Sequence, residues 1–259
     1  MVLQNRSELA TAKRVVVKVG SSSISGANAS KIANLVSALA TAHKSGQEVI
    51  LVTSGAIATA LPLFNLEARP DDLATSQALA SVGQGRLIAR YQESLERYNL
   101  IAGQVLLTAQ DLEGAETSTN AKSAIQRLLE LRVIPIVNEN DTVATAEIRF
   151  GDNDRLAALV AVLVEADALV LLSDVDALYD MPPSNAQAKR VDTVKFDQDL
   201  SAFEIGGSAS AVGTGGAATK VAAAEIATRA GIAVLLTSAD LVSNALSGDS
   251  VGTWFEAKA

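Results

Sequence analysis

Four stretches of this chain set small residues, amides and lysines where chemistry on an anion requires them. Lys18 ends an apolar run and leads into Val19-Gly20-Ser21-Ser22-Ser23, a turn whose backbone N–H groups lie beside an ammonium and can cradle phosphate. It is not a P-loop, because the lysine precedes the glycine and the second glycine is missing. Alone, such a Lys-x-Gly also reads as an ordinary strand-end turn. Thr53-Ser54-Gly55-Ala56-Ile57-Ala58 repeats the pattern at a second strand end, where Ser54 reads either as an anion site or as the N-cap of a helix. The densest polar stretch is Asn138-Glu139-Asn140-Asp141, followed by Phe150-Gly151-Asp152-Asn153-Asp154. These amides and carboxylates can grip an amino-acid ammonium, bond a carboxylate, or orient lysines, and Asp152 or Asn153 also suits an N-cap. The segment lacks the oxygen register of a calcium-binding EF-hand and its closing Glu.

Gly213-Thr214-Gly215-Gly216-Ala217-Ala218-Thr219-Lys220 is a Gly-rich turn running into a helix, which lets backbone approach a polyphosphate closely. Lys220 falls in the first helical turn, the unfavourable end of the helix dipole for a cation unless an anion lies nearby. Ser173 and Asp174 close another apolar run, the place where open α/β sheets bind nucleotides, although Asp174 and Asp176 taken singly are also ordinary turn residues.

Composition removes whole classes of chemistry. The chain of 259 residues has no cysteine, so disulfides, thiolate nucleophiles and cysteine-held metals are excluded. His43 is the single histidine, which argues against a histidine-based triad. With 21 Lys+Arg against 29 Asp+Glu and a net charge of -8, there is no broad footprint for nucleic acid or anionic lipid. The longest apolar run, 156–164, is far shorter than the roughly 18 residues of a membrane-spanning helix. The amino terminus, with Asn5, Arg6, Ser7 and Glu8 ahead of any apolar run, does not read as a signal peptide. A soluble cytoplasmic protein is expected, without nucleic-acid or membrane partners.

The elements that must position these residues follow from periodicity. Runs rich in Val, Ile and Leu predict strands at 14–19, 48–53, 101–107, 133–137, 168–172, 232–237 and 253–255. Helical spacing fills 28–45, 72–98, 121–131, 152–164 and 219–230, the second opening on Pro70-Asp71-Asp72. Consecutive Val15, Val16 and Val17 imply a strand covered on both faces, hence an α/β protein with a parallel sheet. From 181 to 211 no strong period survives, and short ribbons are expected there. One continuous sheet with two lobes is expected, about 1–173 and 174–259, without a flexible linker between them.

In order, Val17-Lys18-Val19-Gly20-Ser21-Ser22, the Thr53 to Ala58 stretch, Ala80-Ser81-Val82-Gly83-Gln84, the segment 138–147, Gly151-Asp152-Asn153-Asp154 and the loop 213–220 resemble the amino acid kinase family. Within it they are similar to the branch that phosphorylates glutamate, over about 13–255. The resemblance implies a three-layer αβα sandwich with a largely parallel central sheet. It implies ATP-dependent phosphorylation of the γ-carboxylate of L-glutamate, which opens proline synthesis. It also implies Mg²⁺ on the ATP phosphates with no dedicated metal site, proline as a feedback inhibitor, and a homo-oligomer, dimer or tetramer.

Carried over residue by residue, Lys18 and Lys220 match the lysines that neutralise the transferring phosphoryl group, and Asp154 the carboxylate that holds both. Ser54, Asp141, Asn153 and Asn138 match glutamate-binding positions. Lys18, Ser173, Asp174, Thr214, Gly215, Gly216, Ala217, Ala218, Thr219 and Lys220 match nucleotide-binding ones. The chemistry is consistent with a single histidine: a carboxylate of pKa near 4.3 is already ionised at pH 7 and needs no general base. Many relatives carry a further carboxy-terminal RNA-binding-like PUA module; a single domain over 1–259 without it is expected. The stretch 176–183 departs from the family's Gly-Leu-Tyr form, which bears on adenine recognition. A carbamate, uridylate or acetylglutamate kinase is the rival enzyme reading, disfavoured by the two Asn- and Asp-rich segments. A non-catalytic amino-acid sensor is the rival outside enzymes, and it has no use for the two lysines.

Overall fold

The computed structural model describes residues 2–24, 28, 30–143, 153–201, 203 and 216–259. Eight strands are named there: β1 (Arg14–Lys18), β2 (Glu48–Val52), β3 (Ala102–Leu107), β4 (Ile134–Glu139), β5 (Ala168–Ser173), β6 (Thr193–Val194), β7 (Ala233–Ser238) and β8 (Thr253–Phe255). They form one sheet in the order β3-β4-β2-β1-β5-β7-β8-β6. From β3 to β7 every neighbour is parallel; β8 runs antiparallel to β7 and carries β6 parallel to itself.

The helices are α1 (Lys31–Lys44), α2 (Ala56–Ala60), α3 (Leu73–Glu96), α4 (Ala109–Glu113), α5 (Ala115–Glu130), α6 (Asn153–Leu163), α7 (Ala217–Arg229) and α8 (Val242–Leu246). Strand alternation sorts them into two layers. Val15 and Val17 of β1 join Leu35, Leu39, Leu87, Tyr91 and Val242 in one core, which belongs to α1, α3 and α8. Val16 points the other way, into a second core with Ile125, Ala157, Val160 and Ala224 of α5, α6 and α7. Each fully buried aliphatic side chain contributes roughly 1.5–3 kcal/mol, so a strand such as β1 stabilises both layers at once. The result is the three-layer α/β sandwich with a largely parallel sheet.

All seven expected strands are present, within a residue or two at each end. In the described part of 181–211 lie the two-residue β6 and Arg190, which forms an isolated bridge with Tyr179, while residues 202 and 204–211 of that stretch lie outside the described residues. The long helix starts where the sequence suggests, with the Asp72 side chain accepting from the Thr75 amide at 2.7 Å. Ser54, by contrast, does not cap a helix: the N-cap of α2 is Gly55, held at φ 97, and the Ser54 hydroxyl faces the Val19 carbonyl oxygen at 3.4 Å. A left-handed residue at that point suits glycine, and the turn it makes closes on Ser21. His43 is buried at the end of α1, where burial and the Arg132 guanidinium push its pKa below the ordinary value.

Parallel strands put their carboxyl ends on one edge. The chain leaves β1 toward β2 on one side and leaves β5 toward β7 on the other, so the crevice between β1 and β5 is the topological switch point. No helix among the described residues is long and apolar enough to cross a membrane.

Candidate active site

Three charged side chains meet at that edge. Lys18, the last residue of β1, places Nζ 2.6 Å from Oδ1 of Asp154 in the first turn of α6. Lys220, in the first turn of α7, places Nζ 3.1 Å from the other oxygen, Oδ2. The Thr219 hydroxyl lies 2.9 Å from the same Oδ2. Asp154 is 0 % exposed and the lysines 5 % and 6 %, so none of the three charges is bathed in bulk water. Burial works to raise the Asp154 pKa, but the two ammonium groups overcome it and hold the carboxyl below the ordinary Asp range. Two cations therefore share one anion in a poorly solvated place. Lys220 also loses its awkwardness at a helix N-terminus, because the compensating anion is the protein's own Asp154.

Beside this cluster stands a row of neutral amides. Asn153 of α6 donates from Nδ2 to Oδ1 of Asn138 on β4 at 2.8 Å and to the carbonyl oxygen of Thr53 after β2. Asn138 Oδ1 also accepts from the Glu139 amide at 2.9 Å, while its Nδ2 donates to Gln84 Oε1 at 2.8 Å. Gln84, on α3, donates in turn to Gln104 Oε1 on β3 at 3.1 Å. The Thr53 hydroxyl is paired with the buried Tyr91 hydroxyl of α3 at 2.8 Å. Gln84 and Gln104 of this row line a cleft of about 260 Å³ together with Ala56, Glu139, Asn140 and Asp141. Burial raises the Asp141 carboxyl above its ordinary value, against a smaller opposing pull from Arg69.

A third group spans the switch point. Asp174, just past β5, accepts from the Ser22 and Ser23 hydroxyls at 3.0 and 3.1 Å, joining the turn after β1 to the end of β5. Ser173 ends β5 next to it. Gly216, Ala217, Ala218, Thr219 and Lys220 open α7. Thr214 and Gly215 lie outside the described residues, as do 144–152 with Gly151 and Asp152.

The structure thus brings Lys18, Asp154 and Lys220 into direct contact and joins Asn153 to Asn138. It sets Ser54 next to the carbonyl that Asn153 holds and puts Asp141 on the cleft wall. Reading the sequence for chemistry missed Gln104 and Tyr91 and gave Gln84 and Thr53 no role of their own, though all four are members of this hydrogen-bonded framework. For Gln84 a signal existed, since it ends the Ala80 to Gln84 motif, but nothing in that motif says what its side chain reaches.

Comparison with known proteins adds three findings. The model of the "Amino acid kinase family" matches residues 13–238. The chain is 61 % identical to a protein of Clavibacter sepedonicus named glutamate 5-kinase, over 98 % of each chain. It is also 61 % identical to a glutamate 5-kinase of Leifsonia xyli, over 98 % of this chain and 95 % of that one. Among solved structures, carbamate kinase from Giardia lamblia superposes with a TM-score of 0.68 over 96 % of this chain and 100 % of that one, at 18 % identity, a likeness of fold.

Proposed function

The chain belongs to the amino acid kinase family, and from that premise we propose that it transfers the terminal phosphoryl group of ATP to the γ-carboxylate of L-glutamate. The products are L-glutamyl 5-phosphate and ADP, and the step opens proline synthesis. The observation that carries the reading is the buried Lys18–Asp154–Lys220 cluster beside an amide-lined cleft, in a chain 61 % identical to proteins named for this activity.

A glutamate carboxylate oxygen forms the new P–O bond while the bond to the leaving ADP oxygen breaks. No proton moves, so what the protein supplies is alignment and neutralisation of charge. Lys18 and Lys220 bring the positive charge, and Asp154 fixes where their ammonium groups stand. Two buried ammonium groups held at fixed positions suit a group that passes negative charge from one oxygen to another. Asp141 supplies a carboxylate for the amino-acid ammonium, and Ser54, Asn138 and Asn153 build the wall around it. Ser173, Asp174 and the start of α7, with Thr214 and Gly215, take the nucleotide side.

Asp154 is already engaged by two ammonium groups and a hydroxyl, so this donor set fits a Mg²⁺ that arrives on the ATP phosphates with its own water. When bound, the ion neutralises phosphate charge. The reading includes a cytoplasmic location, proline as an inhibitor sharing the glutamate cleft, and a homo-oligomer. Leu63, Phe64 and Val82, 47 %, 51 % and 42 % exposed, support a subunit contact near α2 and α3.

The test is ATP- and Mg²⁺-dependent formation of a hydroxylamine-trappable acyl phosphate. L-Glutamate is compared with aspartate, N-acetylglutamate and carbamate, and with UMP scored by ADP release. Activity confined to glutamate is the expected result. Transfer to another acceptor overturns the substrate assignment, and glutamate binding without transfer to any acceptor overturns the enzyme reading.

A further inference from the structure

The amide row has a polarity that its two backbone anchors impose. The Glu139 N–H can only donate, so the Asn138 atom facing it is the oxygen, Oδ1. The Thr53 carbonyl can only accept, so the Asn153 atom facing it is the nitrogen, Nδ2. Asn138 must then turn its own Nδ2 the other way, toward α3, and the group waiting there is Gln84 Oε1 at 2.8 Å. Asn153 uses both hydrogens of its amide on Thr53 and Asn138, which fixes the flip of the amide and so the side on which its acceptor Oδ1 stands. That is the polarity which complements an ammonium group.

Gln84 is brought within reach by its neighbour. A Cβ on Gly83 would lie 1.8 Å from the Ala56 carbonyl oxygen, so α3 presses on the start of α2 as only glycine permits. Two residues of α3 then hold the amide row, Tyr91 through the Thr53 hydroxyl and Gln84 through Asn138, and Gln84 also lines the cleft. Gln84 is 9 % exposed and Asn138 1 %, so water is a poor substitute for the Gln84 oxygen.

We propose that Gln84 is a positioning residue for the amino-acid substrate: by accepting from Asn138 it locks the amide of Asn138 and, through it, presents the Asn153 oxygen to the substrate ammonium. The assignment rests on the glutamate reading above and assigns a role to a residue that touches no phosphate.

The experiment is steady-state kinetics on Q84M, N138A and the double variant, with the side-chain amide resonances of Asn138 and Asn153 followed in ¹⁵N-labelled protein. Q84M, close to Gln in volume but without the acceptor, is expected to raise the KM for glutamate about tenfold or more while the KM for ATP stays within about twofold. In the N138A background the same substitution is expected to change the glutamate KM by less than about twofold, because the partner through which Gln84 acts is gone. A role limited to stability would lower the melting temperature in both backgrounds and leave the KM of the folded fraction alone. An unchanged glutamate KM in Q84M, or an undiminished effect in N138A, overturns the proposal. If the unsubstituted protein transfers nothing to glutamate, it is the substrate reading that falls. The resonances then decide the role of Gln84: displaced Asn138 and Asn153 signals in Q84M support it, and unmoved ones overturn it.

Discussion

The lysine–aspartate cluster and the amide row solve the same construction problem by opposite physics. Each ties together elements that arrive from different parts of the chain, β1, α6 and α7 in the first case and β2, β3, β4, α3 and α6 in the second. The cluster relies on charge: three ionised groups out of water, each tolerable only because the others are present. The row relies on direction: neutral groups whose donor and acceptor ends are dictated by two backbone atoms. The two halves of the site divide the labour. Ionised groups held in place favour a reaction in which charge migrates, whereas fixed dipoles select the molecule that reacts.

Substitutions separate the two. The largest effect is expected from Lys220→Ala, which should lower kcat by about 10²–10³-fold with a smaller change in the glutamate KM, read from initial rates with an unaltered circular-dichroism spectrum as the control. Near-normal turnover would show that the charged cluster does not carry the transfer.

Asp154→Asn follows. It leaves two buried ammonium groups without their carboxylate and should cost about 3–5 kcal/mol, measured by urea unfolding at neutral pH. Its pH dependence has a definite sign. The folded pKa lies below the ordinary Asp value of 3.8, so the stabilisation is complete above that value and is lost as pH falls through the lower, folded one. The Asn variant should lack that loss, and an acid-unfolding curve parallel to the unsubstituted protein's would contradict the ion-pair account.

On the neutral side, Asp141→Ala should raise the glutamate KM about tenfold while kcat changes less than about threefold, and an unchanged glutamate dependence would move the amino-acid site elsewhere. That side is sharpened further by Q84M, whose expected effect is similar or smaller because it acts at one remove.

The sheet was legible because its strands are continuous apolar runs such as Val15-Val16-Val17, a pattern that only a strand covered on both faces needs. What escaped was short or held from afar. Helices α4 and α8 have five residues each, too few for a 3.6-residue period to register, and β6 has two. Ser54 looked like a cap because serine precedes a helix there, yet the tight turn needed a left-handed residue and Gly55 took the cap position. At the site, lysines and acidic residues announce themselves by type, but their meeting across 136 and 66 positions of chain was visible only through the family resemblance. Gln84 shows the limit most clearly. Glutamine is an ordinary helix former, and nothing local marks one whose oxygen faces a residue 54 positions away.

The alternation along β1 has a genetic consequence. Val15 and Val17 serve one core, Val16 the other, and Lys18 ends the same strand, so the direction of the lysine is a matter of parity. Exchanging one valine for isoleucine alters a volume. Inserting or deleting a single codon within the strand would instead send every following side chain to the opposite layer and turn Lys18 away from Asp154. Along these five residues the chain should accumulate replacements among aliphatic residues and almost never a change of length.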